Sequence, residues 1–426
     1  MSAPNLQSLA GLAFIIAVCW LISENRRAFP WKLALGALAV QVGLVLLFFG
    51  FPQARAALSG VGAAIDGLSA STQAGTSFVF GYLAGTDQPF AVTDKAAIPF
   101  IFAFRVLPVI LVVCALSALL WHLRVLKWVT QAFGFVFQKT LGLRGPPALA
   151  TAATVFLGQV EGPIFIRAYL DKLSRSELFM LMSVGMACVS GSTMVAYATI
   201  LKATLPNAAA HVLTASLISA PAGVLLARII VPPGKGEEGG DAAFTDDRRY
   251  DSAIDAVSHG IGDGLQVVLN VGATLIVFVA FVAIADRLMG LAPAWDGQPV
   301  TVERVLGVLF SPLAWLIGIP WSEAPQAGQL LGVKLVLTEF SAFIDLGKIP
   351  VDALSERTRM IMTYALCGFA NVGSVGINVS GFSVLAPERR GEVLGLVWKA
   401  LLAGFLATCM TASIIAAMPP ELFQQG

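Results

Sequence analysis

Six runs of about twenty apolar residues, near positions 6–23, 33–52, 98–121, 205–231, 264–285 and 393–418, constrain this chain more than any other feature. A helix needs roughly twenty such residues to cross the hydrocarbon of a bilayer, where every backbone N–H and C=O must find its partner within the protein. So many runs describe an all-α, polytopic membrane protein whose first partner is the lipid bilayer. Composition agrees. Only 12% of the 426 residues are charged, against roughly 25% in a soluble domain, and the mean hydropathy is +0.80. A net charge of +1 leaves no basic field for nucleic acid. The five cysteines, Cys19, Cys114, Cys188, Cys367 and Cys409, sit in apolar sequence and read as small buried side chains rather than disulfide partners. No metal-ligand spacing is present, and no cofactor is expected. The opening MSAPNLQSLAG lacks the positive n-region of a cleavable signal, so the first run reads as a retained helix.

Basic residues in short loops set the orientation. Arg26, Arg27 and Lys32 mark the first loop as cytoplasmic. A polar stretch at 66–97, with Asp66, Asp87 and Asp94, reads as external, and Arg124, Lys127, Lys139 and Arg144 return the chain to the cytoplasm. Both termini are then expected outside. Residues 235–251 form a polar, Gly- and Asp-rich cytoplasmic linker, and 301–321 suits an amphipathic helix lying along the surface. Four segments follow from this pattern: scaffold helices and an interfacial segment at 1–145, a first hairpin and broken helix at 146–231, linker, scaffold helix and surface helix at 232–322, and a second hairpin and broken helix at 323–426.

Between the clean runs lie two apolar regions punctuated by Gly, Pro and isolated carboxylates, at about 146–204 and 323–386. Breaks in a membrane helix free backbone groups that lipid cannot satisfy, so such segments must line a protein cavity. The two regions resemble each other. Gln159 and Glu161 precede the break Gly185-Met186-Ala187-Cys188-Val189; Glu339 precedes Gly368-Phe369-Ala370-Asn371-Val372. The first hairpin enters from the cytoplasm and the second from outside, which makes the repeat inverted, a plan of secondary transporters whose substrate sits where the broken halves meet. The alternative is ordinary helix packing through Gly, Ala and Ser.

A carboxylate at membrane depth costs at least roughly 2.5 kcal/mol, which makes Glu161 and Glu339 functional candidates. Alternatively each merely pairs with Arg167, Lys334 or a backbone amide. Gln159, Asn371 and Ser374 add uncharged hydrogen-bonding groups, a set suited to a neutral polar ligand such as a sugar-bearing heterocycle. His122, His211 and His259 read as surface or rim histidines. A membrane-embedded enzyme using the two glutamates is the rival class, but no Ser-His-Asp order, His-x-x-x-His or phosphate-binding loop supports it.

At these residues the chain resembles the concentrative nucleoside transporter family of bacterial type, through AGTSFVFGYLAG (74–85), GQVEGP (158–163), SPLAWLIGIPW (311–321), GVKLVLTEFSAF (332–343), CGFANVGSVGI (367–377) and LAPERR (385–390). The resemblance implies about eight transmembrane helices plus two re-entrant helical hairpins in inverted repeats with broken helices. It also implies a homotrimer in the cytoplasmic (inner) membrane that imports nucleosides by elevator-type symport. Carried over by motif, Gln159 and Val160 face the base, Glu161 contacts it directly or through water, and Thr193 lines the same end. Glu339, Asn371 and Ser374 bond the ribose hydroxyls, with Phe369 nearby. Val160 departs from the hydroxyl residue often found in the family, and Thr338 from the usual asparagine. The sodium-site positions of the family fall on Thr154, Leu157, Cys188 and Val189. Thr154 and Cys188 replace the asparagine and serine of sodium-coupled relatives, and a thiol is a poor ligand for a hard cation. Proton coupling through Glu161 or Glu339 is therefore expected, with Na+ as the alternative.

Overall fold

The computed structural model describes residues 3–84, 101–143, 145–159, 161–164, 166–202, 204–205, 207–234, 250–294, 297 and 299–423. Most of the linker at 235–251, part of the stretch at 66–97, and Val160 fall outside the described residues, as do the side chains of Glu161 and Arg167. The regular structure among the described residues is all helical. Two spanning helices open the chain, α1 (Ala3–Leu21) and α2 (Trp31–Gly50), followed by α3 (Pro52–Phe80). The α3 helix corrects the polar boundary expected from residue 66. It runs unbroken through that position, an Ala-, Gly- and Ser-rich helix too weakly apolar to stand out beside the spanning runs.

The rest of the chain is one plan executed twice. The first copy starts with the short α4 (Phe102–Arg105) and the spanning α5 (Leu107–His122), turns into the amphipathic α6 (Val125–Leu141), and enters a hairpin of α7 (Gly145–Leu157), α8 (Glu161–Ile164) and a 3-10 turn. It continues through a broken helix, α9 (Arg175–Ala187) and α10 (Gly191–Leu201), and closes on α11 (Ala208–Ile230). The second copy repeats the order with a spanning α12 (Ala253–Met289), an amphipathic α13 (Val302–Leu316), a hairpin of α14 (Ala324–Val336) and α15 (Glu339–Lys348), a broken helix of α16 (Glu356–Leu366) and α17 (Val372–Leu385), and a closing α18 (Arg390–Ala417). The amphipathic helix expected at 301–321 is α13. Among the described residues, six helical segments, α2, α4–α5, α9–α10, α11, α12 and α18, are long and apolar enough to cross a bilayer. With α1 and the pair α16–α17 they make the expected set of about eight.

The repeat extends beyond the two motifs that betray it in sequence. Each hairpin packs on its own amphipathic helix, α7 on α6 and α14 on α13. The opening helices obey the same symmetry: α2 lies against α11 and α6, α1 against α18 and α13. Capping fixes the register. Ser174 and Ser355 cap α9 and α16, and Ser190 and Asn371 precede α10 and α17, with the same interval of chain between the members of each pair. The Gly-x-Ala-x-Val match is displaced from this register by two residues, because α16 stops earlier than α9 and leaves a longer break.

Helices α9, α11, α16 and α18 form the centre, and nearly all of the apolar stretches of α9–α10, α11 and α18 are buried inside the molecule. Along the most apolar stretch of α12 none of the described residues is buried. It turns Leu269, Ile276 and Phe281 outward, side chains whose fitting solvent is hydrocarbon. Its contact with α5 depends on small residues. A Cβ at Gly260 would stand 2.6 Å from Ala115 Cα, and one at Gly264 3.0 Å from Leu111 Cα, the close approach that small residues permit in membranes.

Ion pairs close the end of the molecule that carries Arg26, Arg27 and Arg124. Glu24, in the loop after α1, accepts from Arg175 at 3.0 Å and Lys399 at 2.9 Å, and its backbone N–H bonds Ile230 at the end of α11. Arg389 donates to the carbonyls of Leu170 and Leu173 at 2.8 and 2.7 Å, satisfying the foot of the first hairpin. At the opposite end Arg357 bonds the Gly318 and Ala416 carbonyls, while Arg359 serves Leu346, Ile349 and Pro350 just past α15, where a cation complements the helix dipole.

Gly260→Ile should force α5 and α12 apart and cost about 1–3 kcal/mol, read as a lower unfolding temperature in detergent. Gly262→Ala, a site whose added Cβ meets nothing within 4 Å, should not lower that temperature, since alanine favours the helix over glycine. Arg175, and after it Lys399, holds the Glu24 carboxyl below the usual carboxylate range against the opposing effect of partial burial. A lowered folded-state pKa means stabilisation that is complete above the ordinary value and lost as pH falls through the lowered one. Glu24→Gln should therefore cost at most about 1 kcal/mol at pH 7 for a partly exposed pair, and the difference from the unaltered chain should vanish on acidification below the carboxylate range.

Candidate functional site

Four chain interruptions meet inside the bundle: the two hairpin tips, at 158–159 and 337–338, and the two helix breaks, at 188–190 and 367–371. The breaks are bonded to each other. Phe369 N–H donates to the Cys188 carbonyl at 3.2 Å, so a backbone donor freed in one repeat satisfies an acceptor freed in the other. Gly368 makes this approach possible, since a Cβ there would stand 2.8 Å from the Ala187 carbonyl oxygen.

Local caps then aim the polar side chains. Thr338 accepts from Ser341 N–H at 3.1 Å, capping α15 and leaving Glu339 as its first residue, where the positive end of the helix dipole favours a carboxylate. That explains a threonine here: its hydroxyl serves as the cap. Asn371 caps α17, its Oδ1 accepting from Ser374 N–H at 2.8 Å, so its Nδ2 points the other way and donates to Glu339 Oε2 at 2.6 Å. Tyr197, on α10 of the first repeat, donates its phenol hydrogen to Glu339 Oε1 at 2.9 Å. On the other side of the site Gln159 Nε2 donates to Ser374 Oγ at 3.3 Å, and Asn378 Nδ2, on α17, donates to Gln159 Oε1 at 2.7 Å. Glu339, Asn371, Ser374 and Gln159 thus belong to one connected network built from both repeats. All four are buried.

The other candidates surround it. Thr193 is buried, donates to the Ser190 carbonyl at 2.9 Å and lies within reach of the Tyr197 phenol. Phe369 is half-buried in the second break. Glu161 begins α8 just beyond the first hairpin tip; its side chain and Val160 lie outside the described residues. Thr154 donates to Ala150 O at 2.7 Å within its own helix, and the Cys188 thiol donates to the Ser216 carbonyl at 3.6 Å on α11. Leu157 ends α7, and Val189, in the first break, takes the Ser216 hydroxyl oxygen on its N–H at 3.3 Å.

Two alternatives raised by the sequence resolve differently. Lys334 does not bond Glu339. It is fully buried and donates to the Ala365 carbonyl at 2.7 Å and to Thr408 Oγ1 at 2.6 Å, a cation placed on the C-terminal carbonyls of α16. His211, expected at a rim, is instead buried, bonded to the Tyr364 hydroxyl at 3.0 Å and stacked on Phe49, because α2 and the C-terminal segment cover the start of α11.

Tyr197 and Asn378 escape sequence reasoning. Tyr197 passes for one more apolar side chain in GSTMVAYATIL. Asn378 carried a signal that weighing charges alone overlooks: an amide in the middle of an apolar half-helix also needs a partner.

Three family models match the chain: "Na+ dependent nucleoside transporter N-terminus" over residues 10–83, "Nucleoside recognition" over 103–204, and "Na+ dependent nucleoside transporter C-terminus" over 211–416. The nucleoside permease NupC of Helicobacter pylori is 35% identical over 419 residues, 97% of this chain and 98% of that one. An uncharacterized transporter of Haemophilus influenzae is 35% identical over 96% of each. CNTnw in an inward-facing, substrate-bound state superposes with a TM-score of 0.87 at 36% identity over 97% of both chains, and a variant of the same protein in an outward-facing state with 0.89 over the same shares.

Proposed function

We infer that this chain, which belongs to the concentrative nucleoside transporter family, imports nucleosides across the cytoplasmic (inner) membrane by symport with protons. It is a multi-pass membrane transporter and not an enzyme, as are its relatives and structural neighbours. The observation that carries the substrate reading is the buried carboxylate of Glu339, held between donors from both repeats and joined through Asn371 and Ser374 to Gln159. A carboxylate and hydroxyl suit ribose hydroxyls, and the Gln159 amide, with Val160 and Glu161 beside it, suits the edge of a base. Thr193 and Phe369 line the same space.

An elevator mechanism draws support from the way α5 and α12 pair with each other and connect to the hairpins through α6 and α13. In this reading the α5–α12 pair belongs to the scaffold, and the segments 146–231 and 323–426 move. A homotrimer would cover part of the exposed α12 face. Both termini would lie outside. Proton coupling draws support from Cys188 and Thr154, which spend their hydrogens on protein carbonyls and offer a sodium ion a soft sulfur and a single hydroxyl oxygen beside the carbonyls of Leu157 and Val189. Glu161 or Glu339 would then carry the proton. The description of the matching family favours sodium instead.

Proteoliposomes decide between the two. Uridine should accumulate in the absence of sodium when the lumen is made alkaline, whereas uptake that follows sodium and ignores the pH gradient would refute proton coupling. Glu339→Gln should raise the KM for uridine at least tenfold, on the order of the 1.4 kcal/mol expected for a lost charged hydrogen bond; unchanged uptake would remove Glu339 from the site.

A further inference from the structure

The two residues that sequence reasoning missed occupy equivalent places. Tyr197 and Asn378 stand the same number of residues into α10 and α17, and the interval between them is the one that relates the caps Ser190 and Asn371. Each reaches across to the hairpin tip of the opposite repeat. Tyr197, from the first repeat, donates to Glu339 of the second hairpin at 2.9 Å. Asn378, from the second repeat, donates to Gln159 of the first hairpin at 2.7 Å. Both are fully buried; among the described residues Tyr197 is the one α10 side chain bonded to Glu339, while Gln159 takes Asn378 on its oxygen and turns its amino group to Ser374.

The orientation of the Gln159 amide follows from hydrogen-bond chemistry alone. Asn378 Nδ2 also donates to the Ser374 backbone carbonyl at 3.2 Å, an atom that can only accept. The amino group of Asn378 must therefore face that way, which requires the oxygen of Gln159 opposite it at 2.7 Å and turns the Gln159 amino group toward Ser374. Glu339 is fixed in the same manner. Its two oxygens receive separate donors, the Tyr197 phenol and the Asn371 amide, so the plane of the carboxylate cannot rotate without breaking one of them.

We propose that Tyr197 and Asn378 are a reciprocal pair of positioning residues, Tyr197 setting selectivity for the sugar through Glu339 and Asn378 setting selectivity for the base through Gln159. The proposal rests on the nucleoside reading above and adds a separation of duties to it. Without the phenol the Glu339 carboxylate keeps only the Asn371 donor and can turn about it, and a substrate that uses it must order it on binding. Without the Asn378 donor the Gln159 amide can present either its oxygen or its amino group to a base.

The test is a crossed selectivity experiment in proteoliposomes, with uridine, cytidine and 2′,3′-dideoxyuridine as the probes. In Tyr197→Phe the KM for uridine should rise about tenfold while that for dideoxyuridine changes less than twofold, and the ratio of uridine to cytidine KM should stay as in the unaltered chain. In Asn378→Asp, which accepts where the asparagine donates, the uridine to cytidine ratio should change at least fivefold while the preference for uridine over dideoxyuridine is kept. Asn378→Ser, too short to reach Gln159, supplies the same readout should the acidic variant fail to fold. A variant that moves both ratios together, or neither, overturns the proposal. Absence of uridine transport by the unaltered chain would instead defeat the nucleoside reading itself, so the two failures are distinguishable.

Discussion

A hydrogen bond between two helix breaks, from Phe369 N–H to the Cys188 carbonyl, is the contact on which the centre of this protein depends. Interrupting a helix at membrane depth frees donors and acceptors at a cost of several kcal/mol each if they stay unpaired. One interruption cannot satisfy itself, whereas two brought face to face can. The same logic runs through the caps: Thr338 and Asn371 spend a side-chain oxygen on a freed N–H, and only the remaining polar atoms are left to reach a ligand. The site exists because the breaks are paired first and decorated second.

Burial follows from this arrangement. Paired breaks need walls that exclude lipid, so α9, α11, α16 and the second half of α18 surround them almost wholly buried, while α12 keeps an apolar face open. The fully buried Lys334 fits the same account. An ammonium in a dry interior costs several kcal/mol after relaxation. Its two hydrogen bonds to Ala365 and Thr408, each worth about 1.5–3 kcal/mol, together with the negative end of α16, offset that penalty and tie the second hairpin to the broken helix that carries Asn371.

The fold class, the spanning runs, both hairpins and the amphipathic helix at 302–316 could be read from the sequence because each leaves a periodic or compositional trace that does not depend on distant residues. Gln159, Glu339, Asn371 and Ser374 could be singled out, though not paired, for a different reason: their polarity is conspicuous in apolar surroundings. What could not be read was anything defined by contact across repeats. Tyr197 is an aromatic residue in an apolar helix until a carboxylate from the other half is placed opposite it. Helix α3 is too weakly apolar to stand out, and His211 looked peripheral until α2 folded over it. The repeat register was misaligned by two residues since glycine and alanine recur too often in such a chain to mark a place, whereas helix caps, which do mark it, need the structure to be recognised.

The amphipathic helices α6 and α13 have a mechanical consequence. Each links the end of a spanning helix to the foot of a hairpin, with 17 residues in one and 15 in the other, hence rigid rods of roughly 26 and 23 Å at 1.5 Å per residue. A rod that pivots at both ends has a fixed stroke. In the elevator reading proposed above, the reach of each hairpin foot from the end of α5 or α12 would be set by those two lengths, and their near equality would let both ends advance in step rather than tilt.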